Sequence, residues 1–230
     1  MPDPKRGTLR ATAAWLKQTL TRTSPAPPLS LDERLVREIR RNFDAEAANE
    51  EDFPSTIDPR IQHVAFLRRW FAPIGNHRLL DAGCGKGRFA RVLREENPEA
   101  RITGLDISEQ MLSFVPEGVG KAAGILTALP FADDSFDGAY ATESLEHAVD
   151  IPLAVSELCR VLRPGGKLAI IDKSAAQWGR LKTPEWERWF DRRQLERLLA
   201  RHCRSVGSEP ISYWEDVAPD GLFYVWFAEK

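Results

Sequence analysis

"LLDAGCGKGRFA" (79–90) places two leucines before an aspartate and then a glycine at every second position. A glycine-rich turn between a strand and a helix lets backbone N–H groups and a helix N-terminus come close to a ligand. In a dinucleotide-binding turn the spacing is G-x-G-x-x-G. Here it is Asp81-x-Gly83-x-Gly85-x-Gly87, and Arg88 stands where that pattern needs its third glycine. Asp81 adds a second objection. A carboxylate at the strand end repels a pyrophosphate but attracts, or orients through water, a ligand with an ammonium group.

Outward from this turn, short apolar runs alternate with amphipathic segments from residue 77 onward, the signature of a parallel sheet covered on both faces. The pattern predicts strands at about 78–82, 101–106, 121–126, 136–142, 166–172, 205–211 and 222–228, with helices over 86–97, 108–115, 150–162 and 191–202. Ile151, Val155, Leu158 and Leu162 form one apolar stripe that Pro164-Gly165-Gly166 is expected to end. Asp191, with Gln194 three residues on, resembles a capping box. Before the turn, Ser30 or Asp32 is placed to cap a helix through Phe43, and Pro59 to open another through Phe71.

Asp81, Gly83, Gly85 and Gly87 fit the D/E-x-G-x-G-x-G loop of the class I S-adenosylmethionine-dependent methyltransferases, and the chain resembles this family over roughly 150 residues. "ITGLDIS" (102–108) looks like the family's second strand, "LPFADDSFDGAYATESLEH" (129–147) like its fourth-strand region, and "LCRVLRPGGKLAII" (158–171) like the following helix, turn and fifth strand. The resemblance implies a Rossmann-like α/β fold: seven mostly parallel strands, the last antiparallel, helices on both faces and an N-terminal helical extension. It implies S-adenosylmethionine as cofactor and a small-molecule acceptor. In that frame Asp81, Gly83 and Gly85 hold the cofactor, and Asp106 accepts the ribose hydroxyls. Ile107 lies against the adenine with Met111 nearby, and Leu126, Thr127 and Thr142 complete the pocket.

One position departs from the family. Members commonly carry an aspartate before the fourth strand that accepts a hydrogen bond from the adenine amino group, and Ile125 stands there instead. The loss of such a bond costs ~0.5–1.5 kcal/mol, a weakening and not an abolition. The Leu126 backbone and the Thr127 hydroxyl are the available substitutes.

Methyl transfer requires an aligned nucleophile and, where that atom carries a proton, a base. Glu143, Glu146 and His147 stand just past the fourth strand, which makes His147 and Glu143 the acceptor-handling candidates. Together they read E-x-x-E-H, similar to a cluster that holds a divalent ion in ubiquinone-type O-methyltransferases and small-RNA 3′-end methyltransferases. A metal-dependent O-methyltransferase is therefore the first alternative, with His202 one further ligand to consider; a non-catalytic cofactor-binding regulatory module is the second. The long connection 173–190 carries Trp178, Trp186, Trp189 and Phe190 beside Lys173, Arg180, Lys182 and Arg188. It reads as a substrate lid for a planar or apolar acceptor with an acidic group, or else as aromatics buried against the N-terminal helices. Cys84, inside the loop, has no base nearby in sequence.

The bulk properties agree with a small-molecule enzyme. A net charge of -2 over 230 residues offers no field for a nucleic acid. Three cysteines with no paired spacing argue against a disulfide framework and fit a cytoplasmic setting. No apolar run approaches a membrane span, and nothing near Met1 reads as a secretory signal. The expected organisation is a flexible tail and Pro-rich linker (1–29), with Leu9, Ala13, Leu16 and Leu20 at helical spacing among basic residues. A helical extension (30–75) and the cofactor-binding domain (76–230), including the 173–190 lid, follow.

Overall fold

The computed structural model describes residues 33–230. The basic amphipathic segment, the proline-rich linker and the Ser30 or Asp32 cap lie outside the described residues. In chain order the elements are α1 (Glu33–Glu46), α2 (Gln62–Phe71), β1 (Arg78–Ala82), α3 (Arg88–Glu96), β2 (Arg101–Asp106), α4 (Glu109–Leu112) and β3 (Gly120–Ala123). There follow β4 (Phe136–Thr142), a 3-10 turn (Leu145–His147), α5 (Ile151–Val161), β5 (Leu162–Lys173), a second 3-10 turn (Ala175–Gln177), α6 (Arg192–Leu199), β6 (Ser205–Ile211) and β7 (Phe223–Glu229).

The strands form one sheet in the order β3-β2-β1-β4-β5-β7-β6. β1 to β5 pair in parallel, and β7 runs antiparallel to both of its neighbours. Successive residues of a strand point to opposite faces, so a sheet covered on both sides needs unbroken apolar runs. Leu79, Tyr140, Ala169, Ile171 and Val225 face α2 and α3. Their neighbours Leu80, Ala139, Leu168, Ile170 and Trp226 face α5 and α6. The expected α5 stripe is realised on that second face, with Val155, Leu158 and Leu162 fully buried.

Side-chain caps start the helices where the sequence places them. Asp150 accepts the Leu153 N–H at 2.9 Å, and Asp191 accepts the Gln194 N–H at 2.8 Å.

Four boundaries differ from expectation. β5 begins at Leu162 and not at 166: Leu162 pairs with Phe136, and the register slips before Gly138 pairs with Lys167. Pro164-Gly165-Gly166 is thus a bulge within the strand, and the helix has already ended at Val161. β3 stops at Ala123 because the Gly124 N–H donates to the Asp106 carbonyl at 3.0 Å and the chain turns through Ile125 to Ala128. α4 is four residues long, and Pro116 lies where a longer helix would run. Pro59 precedes α2, whose N-cap is Ile61; its carbonyl accepts from Arg68 Nη1 at 2.8 Å.

Candidate active site

In an open parallel sheet, ligands sit beyond the carboxyl ends of the strands where the strand order reverses, here between β1 and β4. The chain leaving β1 turns back sharply. The Gly83 and Cys84 N–H groups both donate to the Leu105 carbonyl, at 2.8 and 2.9 Å. Gly83 has φ +76°, and a Cβ there would lie 2.4 Å from the Ser144 Cβ, so only glycine lets the loop pass the end of β4. Gly85, at φ +53°, meets nothing within 4 Å on its Cβ side. That open side is a backbone cradle with room for a ligand.

Asp106 closes the cradle. Its Oδ2 accepts the Gly85 N–H at 2.7 Å and its Oδ1 the Ser108 N–H at 2.9 Å, while burial raises its pKa above the ordinary carboxylate value. Each oxygen keeps a lone pair for a further donor.

These groups open into a cavity of about 520 Å³, a size suited to a small-molecule site. Of the sequence-predicted residues, Gly83, Gly85, Asp106, Ile107, Met111, Leu126, Thr127, Thr142, Glu143 and His147 all line it. Asp81 does not. Its carboxylate is fully buried and neither oxygen has a hydrogen-bond partner; burial pushes its pKa up to about 7, against the opposing pull of the nearby Tyr140 hydroxyl. Asp81 therefore lies behind the loop and offers no direct contact to a ligand in the cavity. Cys84 is among the residues lining the cavity, but it is buried, and burial pushes its thiol pKa well up. Ile125 lines the cavity beside the Thr127 hydroxyl, which is buried and unpartnered.

S-adenosylmethionine fits this donor set. Asp106 suits the ribose hydroxyls, the open side of Gly85 leaves room for the ligand's polar tail, and Leu105, Ile107 and Met111 supply apolar wall. The orphaned Thr127 hydroxyl is a polar handle where the family's aspartate is missing.

Beyond β4 the E-x-x-E-H residues are split into two groups. Glu143 holds a left-handed backbone, φ +52°. It accepts from Arg88 Nη2 at 3.0 Å and lies 3.8 Å from the ring of His63. His63 is wholly buried with both ring nitrogens unpartnered, and burial holds its pKa down to about 4. Glu146 turns the other way. Its Oε1 receives Lys173 Nζ at 2.5 Å, and the same ammonium donates to Glu187 Oε1 at 3.2 Å. Trp189 Nε1 donates to that Glu187 oxygen at 2.6 Å, and Asp172 accepts the Glu146 and Lys173 backbone N–H groups at 3.2 and 3.1 Å.

His147 Nε2 lies 3.7 Å from Glu146 Oε1, and its Nδ1 is buried without a partner. Burial and Lys173 push its pKa down to about 3, so the ring is neutral and its protonation is opposed. Among the described residues, the group of acids and histidine compact enough for an ion is Glu146, His147 and Glu187, with ligand atoms within 4.8 Å of one another. Glu143 is not part of it, and neither is His202, which is exposed beyond α6.

The end of the cavity around His147 is walled by residues that sequence reasoning did not single out. Val36, Ile39 and Phe43 from α1, then Phe53, line it, and the Phe43 ring meets His147 edge-on at 5.1 Å. Two anchors hold this wall to the glycine-loop end. The Ser108 hydroxyl donates to Asp44 at 2.6 Å. Lys86 Nζ donates to the Asn49 carbonyl at 3.1 Å and to Glu50 at 2.6 Å. An amphipathic α1 was the sequence signal, but it marks any packed helix.

The 173–190 connection reaches the cavity through Lys173, Leu181, Lys182, Thr183, Pro184 and Glu187 and not through its aromatics. Trp178 lies edge-on to Trp189 at 5.3 Å, and Phe190 packs on Trp226 at 6.0 Å. These rings brace the connection itself; they neither face the acceptor nor bury against α1 and α2.

Residues 80–170 match a methyltransferase domain family. The chain is 33% identical over 165 residues to a 2-phytyl-1,4-naphtoquinone methyltransferase of Synechocystis, covering 66% of this chain and 68% of that protein. It is 41% identical over 98 residues to a malonyl-[acyl-carrier protein] O-methyltransferase of Methylococcus capsulatus, 40% of this chain and 36% of the relative. The chain spans about a third to a half of the length of several such curated relatives. Among solved structures, the [4+2]-cyclase SpnF superposes with a TM-score of 0.69 at 21% identity, covering 85% of this chain and 96% of that one. A phosphoethanolamine N-methyltransferase of Haemonchus contortus in complex with S-adenosylhomocysteine gives 0.66 at 18% identity, covering 87% and 60%. With the loop, the acid after β2 and the sheet order in agreement, the chain belongs to the class I S-adenosylmethionine-dependent methyltransferases.

Proposed function

We propose that the protein transfers a methyl group from S-adenosylmethionine to a nucleophilic atom of a small, largely apolar acceptor, with the neutral His147 ring contacting that acceptor. The cofactor, when bound, supplies a methyl group on a sulfonium leaving group. The chain's own residues do the rest. Gly83, Gly85 and Asp106 fix one end of the cavity, Thr127 and the Leu126 backbone address the adenine, and Ile107, Met111 and Thr142 complete the wall. Val36, Ile39, Phe43 and Phe53 exclude water around the acceptor.

The observation that carries this reading is the neutral His147 ring, its Nδ1 unpartnered, in the same cavity as the glycine loop. Glu143 is less available to the acceptor, because its oxygen accepts from Arg88; it serves instead to hold that side of β4 in place. Lys182, exposed at the rim, suits an acidic group on the acceptor. The family's quinone and acyl-type relatives are consistent with an acceptor of that kind.

The test is release of S-adenosylhomocysteine across a panel of phenols, quinols and carboxylic acids. His147→Gln is expected to lower kcat about 10²-fold or more while S-adenosylhomocysteine binding stays within about threefold. Full activity of that variant with a turned-over acceptor would place the acceptor's contacts elsewhere. Steady cofactor binding with no thioether release from any acceptor class would favour the non-catalytic alternative.

A further inference from the structure

The Glu146–His147–Glu187 group raises a separate question, because its ligand atoms are close enough for an ion and yet a side chain already sits among them. Lys173 Nζ bonds both acids, at 2.5 Å to Glu146 Oε1 and 3.2 Å to Glu187 Oε1. Lys173 is the last residue of β5, which fixes its backbone, and its side chain is 11% exposed. Trp189 Nε1 donates to the same Glu187 oxygen at 2.6 Å, a second contact that orients the carboxylate.

We propose that Lys173 is the resident cation of this cluster: its ammonium takes the place a divalent ion would occupy, and it positions Glu146 and His147 without metal. Lys173 is thus a positioning residue. The geometry is near to a metal site. Ligand atoms around a four-coordinate ion at roughly 2.0–2.2 Å lie roughly 3.3–3.6 Å apart, against the 4.8 Å span seen here. Removing the lysine would therefore leave a site that needs only slight contraction.

This rests on the placement of the cluster and not on any acceptor, so it stands or falls separately from the proposed methyl transfer. Co²⁺ binding, read by calorimetry and visible absorption, is measured on the full chain as wild type, Lys173→Ala, and Lys173→Ala with Glu187→Gln. The expected result is no stoichiometric binding to the wild type, one ion bound at least about tenfold more tightly by Lys173→Ala, and loss of that ion in the double variant. Wild-type protein that binds one Co²⁺ ion, lost on Glu187→Gln, would overturn the assignment. A folded Lys173→Ala variant that binds no better than wild type would also overturn it. Where Lys173→Ala does not fold alone, refolding in Co²⁺ decides the same point: recovery supports the role of resident cation, and failure overturns it.

Discussion

Asp106 and Gly85 are joined by a 2.7 Å hydrogen bond from the Gly85 N–H to the Asp106 carboxylate, although 21 residues separate them in the chain. The acid that ends β2 is therefore part of the glycine loop's own structure as well as of the cavity wall. Asp106→Asn replaces one acceptor oxygen with a donor facing an N–H. The substitution is expected to weaken S-adenosylhomocysteine binding about 10–100-fold by calorimetry and to raise backbone exchange at 83–87, because both the loop and the hydroxyl contacts lose a charged acceptor.

The two glycines of the loop should separate folding from binding. Gly83→Ala forces a methyl group to within 2.4 Å of Ser144 and is expected to lower stability by about 2 kcal/mol or more in denaturant unfolding. Gly85→Ala has room for its methyl and bears mainly the left-handed backbone cost of about 1–2 kcal/mol. It should fold, yet lose most cofactor affinity, since the methyl group enters the space assigned to the ligand. Equal binding by Gly85→Ala and wild type would place the ligand elsewhere.

Two buried groups pull the pH dependence of stability in opposite directions. His63, held down to about 4 by burial, leaves the unfolded chain binding more protons between about pH 6.5 and 4, so its contribution is lost as pH falls through that window. Asp81, raised to about 7 by burial, leaves the native state binding more protons between about pH 3.8 and 7, so its contribution is lost as pH rises. Asp81→Asn should thus steepen the acid loss of stability by about 4 kcal/mol across its window, and His63→Phe should flatten it by about 3 kcal/mol across its own. Urea unfolding at pH 4.5 and 7 for the three proteins checks both signs.

Lys86→Met cuts the strap from the glycine loop to Asn49 and Glu50. Hydrogen exchange in 33–54 should rise, and the acceptor KM should increase more than the cofactor Kd. A variant whose exchange is unchanged would show that Asp44 and Ser108 suffice to hold that wall.

The sheet was legible because its signals are local. Leu79-Leu80 and Leu168 to Ile171 must be apolar on both faces, and Asp150 and Asp191 mark helix starts within three residues of their targets. The glycine-loop end of the cavity was legible for a similar reason: Gly83, Gly85 and Asp106, which line it, lie at strand ends whose spacing the fold fixes. That Asp81 stays out of the cavity was not legible, because a strand position does not say on which side of the loop a carboxylate emerges. The Lys173–Glu187 arrangement and the α1 wall could not be read, since both depend on how a long connection and a separate helix pack against β4. Trp178 and Trp189 misled for the same reason, as clustered aromatics serve equally to brace a loop or to meet a ligand.

That wall has an evolutionary corollary. Gly83, Gly85, Asp106 and Thr142 line the cavity from the segment between 83 and 142, whereas Val36, Ile39, Phe43 and Phe53 line it from the stretch between 36 and 53. Under the proposed methyl transfer, drift within the earlier stretch re-tailors acceptor choice while the donor side stays untouched, so close kin sharing the glycine loop need not share an acceptor.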